Sequence, residues 1–120
     1  INLHTVKPVD REAVLAAVEE IGRIVTVEDH TVIGGLGSAV SEVIAESGRG
    51  CAFRKLGLQD CFSAIGFHED LMAMNGIDAE SIAAIALQLS RVRVSGAALP
   101  PAVEASQAVA APADQWSDEV

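Results

Sequence analysis

The segment VTVEDHTVIGGLGSAVSEVIAE, residues 25–46, leaves the chain little freedom of local fold. Residues 24–27 form a β-branched run of strand type. Further on, Val40, Val43 and Ile44 recur at the spacing of one helical face. Between the two runs, Gly34, Gly35 and Gly37 permit a sharp backbone turn and close packing. A strand, a glycine-rich turn and a helix in that order make one β–α corner. The rest of the chain must then supply a neighbour for the strand and a cover for the sheet.

The flanking pattern supplies both. Residues 1–6 alternate loosely and read as a short strand, after which Pro8 blocks regular pairing. Asp10 is placed to cap a helix over 11–21, whose apolar face is Val14, Leu15, Val18 and Ile21, and Gly22 stops it. Residues 51–58 are a third strand candidate, interrupted by Arg54 and Lys55. A short helix is predicted over 69–74, with Asn75-Gly76 as its stop. Asp78 caps a last helix with Ile82, Ile85, Ala86 and Leu89 on one face. Strands alternating with helices favour parallel pairing through crossovers. The pattern therefore predicts a three-layer α/β/α sandwich with a mostly parallel sheet over residues 1–94. The Ala/Pro-rich, acidic stretch 95–120 carries no helical face and is expected to be a flexible tail or linker. The chain opens on Ile1 inside an apolar run, which suggests a piece of a longer polypeptide.

Charge and composition exclude several classes of function. A net charge of −9 repels nucleic-acid phosphates and anionic membranes. Three Phe and one Trp, Trp116 in the tail, give no platform for stacking bases or sugars. No apolar run is long enough to span a bilayer. Cys51 and Cys61 form no CxxC pair, so reduced, inert, buried thiols in a cytoplasmic protein are expected.

The corner itself allows two kinds of chemistry. Gly35-Leu36-Gly37, after a strand and before a helix, stands where a dinucleotide fingerprint would, but Val40 holds its third glycine position. Glu28 and Asp29 would also repel a pyrophosphate. Glu28, Asp29 and His30 sit at the carboxyl end of a strand, where α/β proteins place functional groups. Three adjacent residues converge poorly on one ion, so hydrogen bonds that hold the turn, or contact with a partner, are the favoured reading. His4 is expected to pack on its strand, and His68 to be a neutral surface residue. Met72 and Met74 are expected to fill the core.

Four pieces in order, NLHTVKPVD, IVTVEDHTVIGGLGSAVSEVIAE, LGLQD and EDLMAMNGIDAESIAAIALQL, resemble the C-terminal domain of transketolases over residues 2–89. The KPVD turn and the GGLG loop are also similar to 1-deoxyxylulose-5-phosphate synthases. The resemblance implies a parent transferase of sugar-phosphate metabolism that moves a two-carbon ketol unit with thiamine diphosphate and Mg. The cofactor motifs of such enzymes are absent from this chain, so it is expected to be catalytically silent alone. Its partners would be the remaining domains or subunit of the enzyme, in a dimer. A regulatory anion, if the domain takes one, is expected at the loop of Glu28, Asp29, His30, Gly34, Gly35, Gly37 and Ser38, on the amides of Gly37 and Ser38. A stand-alone anion- or nucleotide-binding module is the remaining alternative.

Overall fold

The computed structural model describes residues 1–94; the expected tail, 95–120, lies outside the described residues. Six elements follow in the order α1 (Arg11–Glu20), β1 (Arg23–Thr31), α2 (Leu36–Ser47), β2 (Ala52–Leu58), α3 (His68–Met74) and α4 (Ala79–Ser90).

Helices α1 and α4 start on a side-chain cap, as the sequence predicts. Asp10 accepts a hydrogen bond from the Ala13 amide at 3.0 Å and opens α1. Asp78 does the same for α4 through the Ser81 amide, and also accepts from the Ser81 hydroxyl at 2.7 Å. Helix α2 ends on Gly48, whose φ of 65° is the left-handed conformation that favours glycine at that position.

The sheet has two strands among the described residues. β1 and β2 run parallel, with Arg23 opposite Ala52 and Val27 opposite Leu56, and the register is irregular between Val27 and Thr31. Alternation along β1 turns Ile24, Thr26 and Glu28 to one face. There α1 and α2 pack on each other and on the strands, and Val14, Val18, Val40, Val43 and Ile44 form the core. Ile24 and Phe53 seal it from the sheet side. Helix α4 rests on both strands and adds nothing to that cluster, which places it on the other face. The result is the expected α/β architecture with helices on both sides of a parallel sheet.

Three local expectations are corrected. Residues 1–5 are not a strand; Val6 makes only an isolated bridge to Val9, beside a cis Lys7–Pro8 peptide. His4 is accordingly exposed rather than packed. Ile21 and Met74 are exposed rather than core: Ile21 lies just past the end of α1, and α3 contributes no buried residue. β2 forms as expected across Arg54 and Lys55: Arg54 is exposed, and Lys55 turns inward with its amine on the Val32 carbonyl.

The hydrogen bonds from Ser81 hold the Asp78 carboxyl below its ordinary range. Its contribution to folding is therefore full at neutral pH and is lost as acid protonates it. Asp78→Ala is expected to lower Tm at pH 7 and to make little difference at pH 2, as read by circular dichroism on both chains.

Candidate functional site

β1 is longer than its β-branched run. It continues through Glu28, Asp29 and His30, so these residues lie on a strand and not in a loop. Alternation turns Asp29 away from Glu28, and the irregular register between Val27 and Thr31 leaves His30 outside as well. Glu28 points toward α2 and is buried, whereas Asp29 and His30 are exposed. Among the described residues the His30 ring hydrogen-bonds only to the carbonyl of Thr31, through Nδ1 at 3.1 Å. The acid pair and the histidine do not converge. Among the described residues no group of three His, Cys, Asp or Glu side chains is placed to hold a metal ion.

Glu28 carries the geometry of the corner. The Leu36 amide donates to its Oε2 at 2.7 Å, and the Gly37 amide donates to its Oε1 at 2.9 Å. These are two of the four amides that an α-helix leaves without internal partners at its start. Gly35, at the N-cap position, has no side chain to serve them. The carboxylate of β1 does so from eight residues away, with a negative charge set against the positive end of the helix dipole. The Ser38 amide bonds back to the Gly35 carbonyl at 3.1 Å. The amides of Gly37 and Ser38, where an external anion was expected, are thus taken from within the chain.

The glycines are explained by this carboxylate and by a lysine. A Cβ on Gly35 would overlap Glu28 Oε2 and stand 2.9 Å from the Thr31 carbonyl oxygen. One on Gly37 would meet the Lys55 stem at 2.6 Å and Thr26 Oγ1 at 2.8 Å. Gly57, on β2, faces Glu28 from the other side, where a Cβ would meet the Glu28 Cγ at 2.9 Å. Gly34 alone is needed for its backbone, at φ 75°. The loop is fastened by Ser38 Oγ, which accepts from the Gly34 amide at 3.0 Å, and by Lys55 Nζ, which donates to the Val32 carbonyl at 2.8 Å. Gly57 and Lys55 escaped the sequence reading, because nothing in the pattern of β2 reports which side chain crosses over it.

A cleft of 420 Å³ opens against the corner, where Gly34, Gly35 and Ser38 face the turn at Val6–Val9. Its rim carries Lys7, Arg11, Glu42 and Glu46, and Arg11 pairs with Glu46 at 2.8 Å. Charges of both signs at an exposed rim select no particular ligand.

The resemblance can now be set beside known proteins. The model of the family described as transketolase, C-terminal domain, matches residues 1–82. This chain belongs to the transketolase C-terminal domain family. A 1-deoxy-D-xylulose-5-phosphate synthase of Heliobacterium modesticaldum is 38% identical over 105 residues, covering 85% of this chain and 16% of that protein. A 6-deoxy-6-sulfo-D-fructose transketolase subunit of a Clostridium species is 43% identical over 68% of this chain and 25% of the subunit. A putative transketolase C-terminal section of Methanocaldococcus jannaschii is 41% identical over 69% of this chain and 25% of its own length. Among solved structures, a split-gene transketolase in an inactive β4 tetramer superposes with a TM-score of 0.63 at 36% identity, over 74% of this chain and 30% of that one. This chain thus spans about a quarter or less of the length of these curated relatives.

The start of α2 does not fit the diphosphate of thiamine diphosphate, the cofactor that the family resemblance implies. The glycine-rich helix start that could have cradled a diphosphate is filled by Glu28.

The two thiols differ. Cys51 is half-buried, and burial pushes its pKa up against the smaller opposing effect of a backbone hydrogen bond from Ile24. Cys61 is exposed, contrary to the expectation of two buried thiols, because it follows the end of β2. Iodoacetamide at pH 8 is expected to modify Cys61 well before Cys51, as read by peptide mass spectrometry.

Glu28→Ala is expected to lower the unfolding free energy by about 2 kcal/mol, the order for stranding buried hydrogen-bond groups. Glu28→Gln, which keeps one acceptor oxygen, should lose less. Gly37→Ala should cost roughly 1–3 kcal/mol by overpacking against Lys55. Urea denaturation of the three variants checks all of this.

Proposed function

We propose that this chain is the C-terminal assembly domain of a transketolase-type enzyme, which transfers a two-carbon ketol unit between sugar phosphates. The thiamine diphosphate and Mg chemistry belongs to other sections of that enzyme, and this domain contributes no reacting group. Its role is to bind those sections or a second subunit and to hold the enzyme in its dimeric form.

The observation that carries the reading is the apolar stretch between β2 and α3. Phe62 and Ile65 are fully exposed, and Phe67 is 83% exposed. Three large apolar side chains in six residues, none of them covered, are the mark of a surface that meets another protein. The carboxylate held at the start of α2 supports the same view. A module built to bind anions would need open amides there, and Glu28 already holds two of them.

A 1-deoxyxylulose-5-phosphate synthase is the second reading of the parent enzyme, favoured by the long alignment with the Heliobacterium protein. Assaying the parent with pyruvate and an aldehyde against a ketose phosphate donor separates the two.

The native polypeptide or complex that carries this domain is expected to be several times heavier than 12.4 kDa on native mass spectrometry of source-cell extract. A free native species near that mass would overturn the proposal. In the assembled enzyme, the triple substitution Phe62→Ser, Ile65→Ser, Phe67→Ser should weaken association at least tenfold by analytical ultracentrifugation. The same substitution should leave the Tm of the isolated chain nearly unchanged.

A further inference from the structure

The connection between β2 and α3 is unlike the rest of the domain. Every residue from Gln59 to Asp70 is exposed. The Cys61 amide donates to the Gln59 carbonyl at 2.8 Å, and from Phe62 to Gly66 the backbone makes no backbone hydrogen bond among the described residues. Helix α3, which follows, buries none of its residues. The apolar surface also continues at the root of this arm. There the Val32 amide donates to the Leu58 carbonyl at 3.0 Å, which sets the exposed Ile33 beside it.

The order of residues along the arm is specific. Phe62, Ile65 and Phe67 stand in the middle, with only Ser63, Ala64 and Gly66 between them. Asp60 precedes them, Glu69 and Asp70 follow, and the stretch 59–70 holds no Lys or Arg. An apolar centre with charge kept to its ends is the layout of an interface, whose centre loses its water while its rim stays wet. Small residues between the anchors let the backbone lie close against a wall.

Charge decides what can cover the arm. A second copy placed face to face would set these three acids against the same three, in a chain of net charge −9. The cations of this domain are poorly placed to answer them. Arg11 and Arg49 are paired with Glu46 and Glu19, Arg23 donates to the Ile21 and Val92 carbonyls, and Lys55 donates to that of Val32. Lys7 shares its cleft with Glu42 and Glu46.

We propose that residues 59–70 form an arm that seats in an apolar groove on another section of the parent enzyme, with Lys or Arg at both ends of the groove. Phe62, Ile65 and Phe67 fill it. Asp60 meets the cation at one end, and Glu69 and Asp70 meet those at the other. The groove is at most about 18 Å long, the reach of the chain from Phe62 to Phe67. Charges at a rim set the register and speed of docking more than its strength. The acids therefore select the section that is accepted, and the apolar anchors hold it. This inference rests on the reading of the chain as part of a larger enzyme.

Cys61 sits in the arm and reports on it. Its rate of modification by iodoacetamide is read by peptide mass spectrometry in the lone chain and in the assembled enzyme from source cells. Both are measured at about 0.1 M and about 1 M NaCl, where charge reaches about 10 Å and about 3 Å. Protection is the ratio of the two rates, so a direct effect of salt on the thiol cancels. It should be about tenfold or more at low salt and fall roughly threefold or more at high salt. The parent enzyme carrying Asp60→Lys, Glu69→Lys and Asp70→Lys should lose as much protection at low salt, against the lone chain with the same substitutions.

Protection that survives either treatment in full would overturn the charged groove and leave the proposed function standing. Equal rates in the lone chain and in an enzyme with thiamine-binding sections would overturn the arm altogether. Salt-sensitive protection in an assembly without those sections would sink the proposed function and leave the arm standing. Protection that rises with the concentration of the lone chain would overturn the proposal by putting a second copy on the arm.

Discussion

The interaction on which the rest of this structure depends is the bond between the Glu28 carboxylate and the start of α2. Helix α2 supplies Val40, Val43 and Ile44, three of the five buried residues of the core cluster. A helix that carries so much of the core cannot begin with unserved amides in a buried place, since each would lose its water without replacement. Gly35 offers nothing at the cap. The strand therefore provides the acceptor, and the strand and helix become one unit.

This bond also dictates the composition around it. Glu28 reaches its two amides across a space where a methyl group would stand on Gly35 or Gly57, and the Lys55 stem crosses where one would stand on Gly37. Glycine-rich turns at helix starts usually suggest phosphate, because bare amides and a helix dipole favour an anion. Here the same physics operates with an anion belonging to the chain. The corner looks like a ligand site in sequence because it is one, with its ligand built in.

Much of the fold was legible in the sequence. The helical faces of α1 and α2 follow from Val14, Val18, Val40, Val43 and Ile44, whose spacing survives in the core. Asp10 and Asp78 act as caps where they stand before their helices. What failed did so because it depends on neighbours. Residues 1–5 alternate like a strand, yet a strand exists only against a partner, and no described backbone lies beside them to pair. The end of β1 was misplaced because Glu28, Asp29 and His30 have low strand propensity, which tertiary packing overrides. For the corner, sequence gave the glycines and the acid together and could not say that they touch. That contact comes from strand alternation and from Gly57 lying alongside, and neither is visible until the two strands are in register.

The mutual exclusion of Glu28 and a side chain at Gly35 has a consequence for how this corner can change over generations. A Ser or Asp at position 35 would be an ordinary cap for α2, and it would make the strand carboxylate unnecessary. Its Cβ, however, would collide with that carboxylate while Glu28 remains. Removing Glu28 first leaves the helix uncapped. Each solution is workable alone, and the two single-step routes between them pass through a chain with a clash or a chain with orphaned amides. Substitutions at these two positions are therefore strongly coupled, and a lineage that has adopted one arrangement is held in it by the instability of the intermediates.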